Sequence, residues 1–537
     1  MQHTAYSYHF DKNPNFADPR VYYQLLRHFW AQKRATFHNS VTVKGSGLRA
    51  FSDLVVREDK FRKYEVLPSR FLGPFTLVPC EYAISGDYVD RLNSFAAYLE
   101  PVFGPSELIC VSNSELQSIL GRAFFAFEGN KIPVNLYNPS AGELASFYSA
   151  CANKIVLRNL LTYFWANHPE LGSKSYPFVP HFYRLGKELK PWVQKKVGAL
   201  SQKFKCGNQI PDKGDGLILQ MARAERGTRT LVLRVVFCGL THKYFFELGA
   251  KGKPQKFELD QTAEVTQAVM QNLKEDQPYL AMSHIGEHAA LSIGVYFDGS
   301  DFYFGEPRVQ LVSARAGFQG AAFGANIGLP EGYFYGECRD RVKQFCSEFL
   351  VHFFRYLYLE QKHTFPAVFG VDFLAKRSKE GGDDLRLYIS EVNLRFTAVS
   401  TTERLIATLN LDDLVASGYL AVLQLEHCFA PYIDSEFEVH TFYEKVAELL
   451  QQRIDPIKVE VLPVILRDCC QRPATSAQAL ILEAVRANTV LIHPLSLPNL
   501  SGKFSLIVIG TNQDLESLMA RLRKNSENWV VDLRSTN

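Results

Sequence analysis

An α/β fold built from several units is predicted for this chain by three observations. It has 537 residues, of which 47% are apolar and 13% aromatic, and at roughly 100–200 residues per unit that fills three or four cores. From Phe75 onward, short apolar runs alternate with stretches of helical period, the pattern of strands joined by crossover helices. The last 85 or so residues repeat that alternation on a smaller scale.

The elements follow in order. Tyr22, Tyr23, Leu25, Leu26, Phe29 and Trp30 stand at spacings that suit an amphipathic helix in an aromatic and basic arm, residues 1–60; a packing arm is favoured over a partner-binding helix. Runs such as Phe75–Val78 and Leu108–Val111 flank a helix over 88–99, so a parallel α/β domain is expected over 61–149. Residues 150–170 read as a helix, and Pro177 and Pro180 mark its break. Lys203-Phe204-Lys205 is read as a strand end before a loop with Gly207, Pro211, Gly214 and Gly216, and Leu217–Gln220 as the return strand.

Further strands are expected over 231–247, 291–297 and 301–304, helices over 263–273 and 335–360, and paired strands at 368–374 and 385–392. The charged Lys376–Asp384 stretch between the last two is a solvated turn. The remainder gives strand 458–466, helix 477–487, strands 489–493 and 504–509, and helix 514–522. The units are thus 1–60, 61–149, 150–290, 291–450 and a small α/β cap, 451–537.

Lys plus Arg total 59 against 56 Asp plus Glu, a net charge of +3. No whole-chain field would hold nucleic acid or an anionic membrane. No basic segment followed by an apolar stretch opens the chain, and no apolar run of about 18 residues occurs, so neither a secretory signal nor a membrane span is expected. The ten Cys show no CxxC and no zinc-ligand spacing; they read as reduced thiols of a cytoplasmic protein.

The chemistry concentrates in Asp372, near the end of one strand, and Glu391-Val392-Asn393-Leu394-Arg395, at the end of the next. Alternation sets Glu391, Asn393 and Arg395 on one face, and Asp372 joins them if the strands pair. Oxygen ligands of this kind suit Mg²⁺, which commonly bridges phosphates. By chance E-x-N-x-R arises about once per 8,000 positions, so the motif gains weight only from its surroundings.

Those surroundings resemble the ATP-grasp superfamily over residues 150–400. Lys154, in Ala152–Arg158, matches that family's helix-borne lysine; Lys205 is the candidate for its second lysine, with Lys203 and Lys213 as alternatives, ahead of a flap holding Gly214 and Gly216. Gln277–Met282, with Tyr279, Leu280 and Met282, is placed like its adenine-reading hinge strand, and Glu287 like a ribose- or hinge-contacting acid. A narrower likeness is to ATP-grasp peptide ligases of the pheganomycin type: Glu306–Gln310 followed by Gly317–Gly324, Glu391–Arg395 followed by Thr401-Thr402, and Val490–His493 with Ser501–Gly510 are similar to its motifs. The chain departs where that family has Gly-Gly before the Thr-Thr pair and His-Pro after it, having Phe396–Ser400 and Glu403-Arg404 instead.

The resemblance implies an ATP-grasp fold with an N-terminal pre-grasp domain. It implies ATP and Mg²⁺ (or Mn²⁺) as cofactors, a carboxylate and an amine, small-molecule or peptide, as substrates, and allows a homodimer. Asp372, Glu391 and Asn393 would hold the metal, Lys154 and Lys205 the phosphates, and Arg395 the carboxylate or the transferring phosphoryl group, with Arg308 and Arg315 as further phosphate contacts. Two other readings stay open: a small-molecule kinase on the same nucleotide site, and a non-catalytic nucleotide-binding regulator. His284, His288 and His493 lack partners at recognisable spacing and are read as core or surface residues.

Overall fold

The computed structural model describes residues 16, 18–31, 35–37, 75–79, 86–111, 154–168, 171, 179, 181–205, 215–221, 230–238, 241, 243–249, 254–313, 317–361, 363, 365, 367–377, 385–394, 397–431, 439–469, 476–498, 502–523 and 529–534. Of the residues singled out above, Pro177, Pro180, Gly207, Pro211, Lys213, Gly214, Arg315 and Arg395 lie outside them, as do 378–384 of the charged turn.

The amphipathic arm forms α1 (Pro19–Ala31), which buries Tyr22, Tyr23, Leu26, Phe29 and Trp30. It packs into a core shared with the main sheet, as the packing reading expects. Strands β1 (Ala35–Phe37), β2 (Phe75–Pro79) and β3 (Glu107–Val111) form a small parallel sheet, with α2 (Gly86–Phe103) as the crossover from β2 to β3. Parallel strands need such a crossover. Next comes α3 (Lys154–Asn167), which packs Leu157, Leu161 and Phe164 into the largest core of the molecule.

A six-stranded antiparallel sheet follows, made of β4 (His181–Leu185), β5 (Gly216–Met221), β6 (Thr230–Cys238), β7 (Lys243–Gly249), β8 (Gln255–Glu258) and β9 (Pro278–Ser283), in the order β4-β9-β5-β6-β7-β8. Helices α4 (Lys190–Lys205) and α5 (Thr262–Gln271) share its core through Val193, Val197, Phe204, Val265 and Val269. Lys203-Phe204-Lys205, expected as a strand end, is the last turn of α4. The burial of Val193, Val197, Ser201 and Phe204 has helical spacing and continues through that turn.

The remaining strands build one large sheet: β10 (Ala289–Phe297), β11 (Phe302–Phe304), β12 (Arg308–Val312), β13 (Phe318–Phe323), β14 (Val368–Arg377), β15 (Leu385–Asn393), β16 (Ala421–Phe429), β17 (Lys458–Val461), β18 (Thr489–Pro494), β19 (Lys503–Gly510) and β20 (Val531–Asp532). Its order is β15-β14-β10-β12-β13-β16-β19-β18-β17, with β11 beside β10 and β20 beside β16. The strands of the C-terminal segment, expected in a separate cap, therefore continue this sheet.

One face of it carries Leu291, Val309, Val371 and Phe373 against α6 (Tyr335–Phe345), a π-turn at Cys346–Leu350 and α7 (Val351–Leu359). The other face carries Tyr296, Phe323, Val422 and Ile509 against α1 and α8 (Ser400–Thr408). The strand expected at 458–466 ends at Val461, and Leu462–Cys469 is helical. Pro463 suits a first helical turn, where its missing N–H has no intrahelical partner to lose.

Candidate functional site

Strands β14 and β15 pair antiparallel, with Asp372 opposite Glu391 and Gly370 opposite Asn393. The register shifts between Asp372 and Phe373, because Phe373 faces Ile389 and Ser390 is the extra residue of a bulge. Its effect is visible in burial: Leu385, Leu387 and Ile389 enter the core, and beyond the bulge Val392 and Leu394 do so. The bulge therefore changes phase, turning Glu391 and Asn393 to the side opposite the core, where Asp372 also points.

These side chains meet. Asn393 Nδ2 donates to Asp372 Oδ2 at 2.9 Å, and Gln310 Nε2, from β12, donates to Asp372 Oδ1 at 2.7 Å. Asn393 thus turns its nitrogen to Asp372, and its amide oxygen is an atom of the kind a hard cation takes. From α3, whose apolar face is fixed in the main core, Lys154 brings its Nζ to 3.5 Å from Glu391 Oε2. The Lys154 side chain is 3% exposed, and its Nζ has no hydrogen-bond partner among the described residues. Two carboxylates, an amide oxygen and an ammonium thus converge from two strands and a helix. Among the described residues no group of three or more His, Cys, Asp or Glu is arranged for a metal; the set here has two carboxylates completed by an amide.

Beside this polar end lies a small apolar cluster. Val179, Leu280 and Met282 are buried together, and Ile155, Ile218, Ile285, Leu374 and Tyr388 pack against them. The cluster joins the six-stranded sheet to β14 and β15, and Leu374 is the next residue on the Asp372 side of its strand. Sequence reasoning missed Ile155, Ile218, Leu374 and Tyr388, although alternation from Asp372 gives Leu374 directly.

The expected hinge changes in detail. Strand β9 pairs with β4 on one edge and β5 on the other, so the backbone of Tyr279, Leu280 and Met282 is committed to ladders and cannot read a base edge. Leu280 and Met282 belong to the apolar cluster beside the polar end. Tyr279 points into the other core, where its hydroxyl accepts from Lys274 N at 3.0 Å.

The backbone leaves the ladder after His284, whose N–H donates to Gly216 O at 3.0 Å. In the following loop Lys376 Nζ donates to Ile285 O. His288 Nδ1 lies 2.7 Å from Gly286 O, and burial pushes that imidazole's pKa down. Glu287 is in this loop, and its carbonyl accepts from the Tyr333 hydroxyl at 3.2 Å.

Lys205 sits exposed at the end of α4. Lys203, the alternative, lies 2.6 Å from Asp215. Gly216 is the first residue of β5 rather than a loop glycine, and a Cβ there would collide with Leu233 O. The hairpin that joins β5 to β6 falls at 222–229, outside the described residues.

Arg308 is turned inward, not toward a substrate. It is 1% exposed, and its Nη1 lies 2.5 Å from Glu403 Oε1, which also accepts from the Tyr22 hydroxyl at 3.0 Å. Gly294 leaves room for this trio, since a Cβ there would strike both Glu403 and Tyr22. The next residue, Arg404, lies between the Trp30 and Phe103 rings at 4.3 and 4.2 Å, and burial lowers its pKa to about 9. Glu403-Arg404, where the chain leaves the peptide-ligase pattern, is therefore the seat on which α1 and α2 dock.

No family model matches the chain, and no curated protein matches it. Solved structures similar to it include the biotin carboxylase domain dimer of 2-oxoglutarate carboxylase from Hydrogenobacter thermophilus, in complex with MgADP, ADP and bicarbonate (9% identity, TM-score 0.41, covering 92% of this chain and 90% of that one). Another is N5-carboxyaminoimidazole synthase from Aspergillus clavatus, in complex with ADP and 5-aminoimidazole ribonucleotide (11% identity, TM-score 0.39, 90% and 96%). A third is D-alanyl-alanine synthetase A from Vibrio cholerae (12% identity, TM-score 0.30, 63% and 92%).

Proposed function

We propose that this chain is an ATP-dependent carboxylate-amine ligase of the ATP-grasp type, forming a peptide or amide bond through an acyl phosphate with release of ADP and phosphate. The observation that carries the reading is the meeting of Lys154 Nζ with Glu391 at 3.5 Å beside Asp372 and Asn393, next to an apolar cluster between two sheets.

The donor set fits a hard divalent cation: two carboxylates and an amide oxygen on one side of the sheet, with no sulfur or imidazole among them. Asp372, Glu391 and Asn393 would hold Mg²⁺, which when bound supplies positive charge against the ATP phosphates. Lys154 adds a second cation, and its burial keeps that charge poorly screened. The apolar cluster of Leu280, Met282, Leu374 and Tyr388 beside the polar end offers apolar surface against which a planar base would pack.

Attack of a carboxylate on the γ-phosphorus joins two anions, so this clustering of cations is what the step requires. An amine then attacks the acyl carbon and phosphate leaves. No side chain need act as a dedicated base, because a positioned neutral amine reacts readily with an acyl phosphate. Arg395 stays our candidate for holding the carboxylate, two residues beyond Asn393.

ATP consumption with Mg²⁺ across pooled amino acids and short peptides tests the reading. ADP release that depends on an amine, with a product lighter by one water than its two parents, supports ligation. A phosphorylated alcohol would replace it with the kinase reading, and Mg·ATP bound without turnover with the regulatory one.

A further inference from the structure

We infer that Gln310 is a positioning residue that sets the divalent-cation affinity of the site by holding Asp372; this rests on the nucleotide-site reading above. Asp372 is gripped from two sides. Gln310 Nε2 donates to Oδ1 at 2.7 Å and Asn393 Nδ2 donates to Oδ2 at 2.9 Å. The two donors differ in kind, because Asn393 lies on a strand paired directly with β14 and belongs to the ligand set itself. Gln310 reaches in from β12, with β10 between its strand and that of Asp372.

Strand β12 is suited to this. It is paired on both edges, with β10 and β13, and on the same side of it Arg308 is fixed to the buried Glu403. Opposite Gln310 on β13 stands Ala321, too small to compete for its amide. Each Asp372 oxygen takes an amide donor from a different strand, and the pair of bonds fixes the orientation of the carboxylate. With Gln310 lost, Asp372 would keep its charge and one anchor but swing about its side-chain torsions, and such outer partners typically alter metal affinity by about 10- to 100-fold.

The test is Mn²⁺ binding to the full-length protein with saturating ATP analogue, followed by electron paramagnetic resonance of free Mn²⁺, so that no turnover is read. Gln310→Met keeps the volume and removes the donor; Gln310→Ala is the second variant. The expected result is a rise of about 10- to 100-fold in the Mn²⁺ Kd for both, an unchanged affinity for the metal-free analogue, and, in turnover, a raised Mg²⁺ requirement whose loss is recovered at saturating Mg²⁺. A merely structural role would instead lower the melting temperature and leave the Mn²⁺ affinity of the folded fraction intact, which overturns the inference.

Wild-type protein that binds no Mn·ATP analogue overturns the nucleotide-site reading together with the inference. Wild type and variants binding alike overturn the inference alone. Should both variants fail to fold, a structure of the wild type with Mn·ATP decides: Gln310 Nε2 within about 3.2 Å of Asp372 supports the assignment, and Gln310 turned away from Asp372 overturns it.

Discussion

The Lys154 ammonium stands 3.5 Å from the Glu391 carboxylate, tying the first turn of α3 to the end of β15. Neither group is held there by local chain geometry. The lysine is carried by a helix anchored in the main core, and the glutamate is turned toward it by the bulge at Ser390. Replacing Lys154 with Met should lower ATP affinity by about tenfold or more, the scale of one lost charge-assisted contact. Thermal stability should hold or rise, since a buried cation gives way to an apolar chain of similar length. Calorimetric ATP titration beside a thermal melt checks both.

Glu391→Gln and Asn393→Ala should each abolish ATP turnover and leave the fold intact, because both side chains lie on the non-core side of β15. Circular dichroism and an ADP-release assay on the same preparations test this pair, and unchanged turnover in either variant removes the metal assignment.

Enlarging a side chain of the apolar cluster should weaken the nucleotide without touching the polar end. Leu374→Trp adds a ring among Leu280, Met282 and Tyr388 and should reduce nucleotide affinity by about 100-fold or more, because a closely packed cluster takes the added volume only by displacing the side chains proposed to meet the base. Tyr279→Phe should bind nucleotide normally and cost only about 1 kcal/mol of stability, the loss of one hydrogen bond within the other core. Fluorescent-nucleotide binding and urea denaturation separate the two outcomes.

Gly294→Ala should destabilise the protein by about 1–3 kcal/mol or more. The added methyl meets the Glu403–Tyr22 pair and must displace α1 or break a buried charge contact. Limited proteolysis should then cut within α1 faster than in the wild type.

His493 gives a pH signature. It is fully buried, neither ring nitrogen has a hydrogen-bond partner among the described residues, and burial together with Arg404 lowers its pKa to about 3. The unfolded chain therefore binds the proton first as pH falls. Stability from the neutral ring is present above the ordinary histidine value of 6.5 and is lost on the way down toward 3, with a slope of about 1.4 kcal/mol per pH unit. His493→Phe should remove that slope: it should melt above wild type at pH 5, with a much smaller difference at pH 7.5. Parallel melting curves with identical slopes would contradict the assignment.

Much of this was legible before the structure. Asp372, Glu391 and Asn393 are close in sequence to strand ends; alternation puts Glu391 and Asn393 on one side together, and the bulge at Ser390 makes it the side of Asp372. The bulge that re-aims Glu391 left a trace in the switch from Leu385, Leu387 and Ile389 to Val392 and Leu394. Other features were not readable. Arg308 has the chemistry of a phosphate ligand, and only the fold, by seating Glu403 and Tyr22 against it, turns it inward. Lys205 looked like part of a strand because the Lys-Phe-Lys alternation hid a helical spacing that began at Val193. Tyr279 was misplaced because strand pairing on both edges of β9 depends on partners far away in sequence.

The central claim is that the ends of β14 and β15, with Lys154, form a site for Mg·ATP. Isothermal titration of Mg·ATP into wild-type protein, Glu391→Gln and Lys154→Met tests it most directly. The account predicts saturable binding by the wild type that depends on Mg²⁺, loss of that Mg²⁺ dependence in Glu391→Gln, and weakened binding in Lys154→Met with or without the metal. Equal, Mg²⁺-dependent affinity in all three proteins would contradict it.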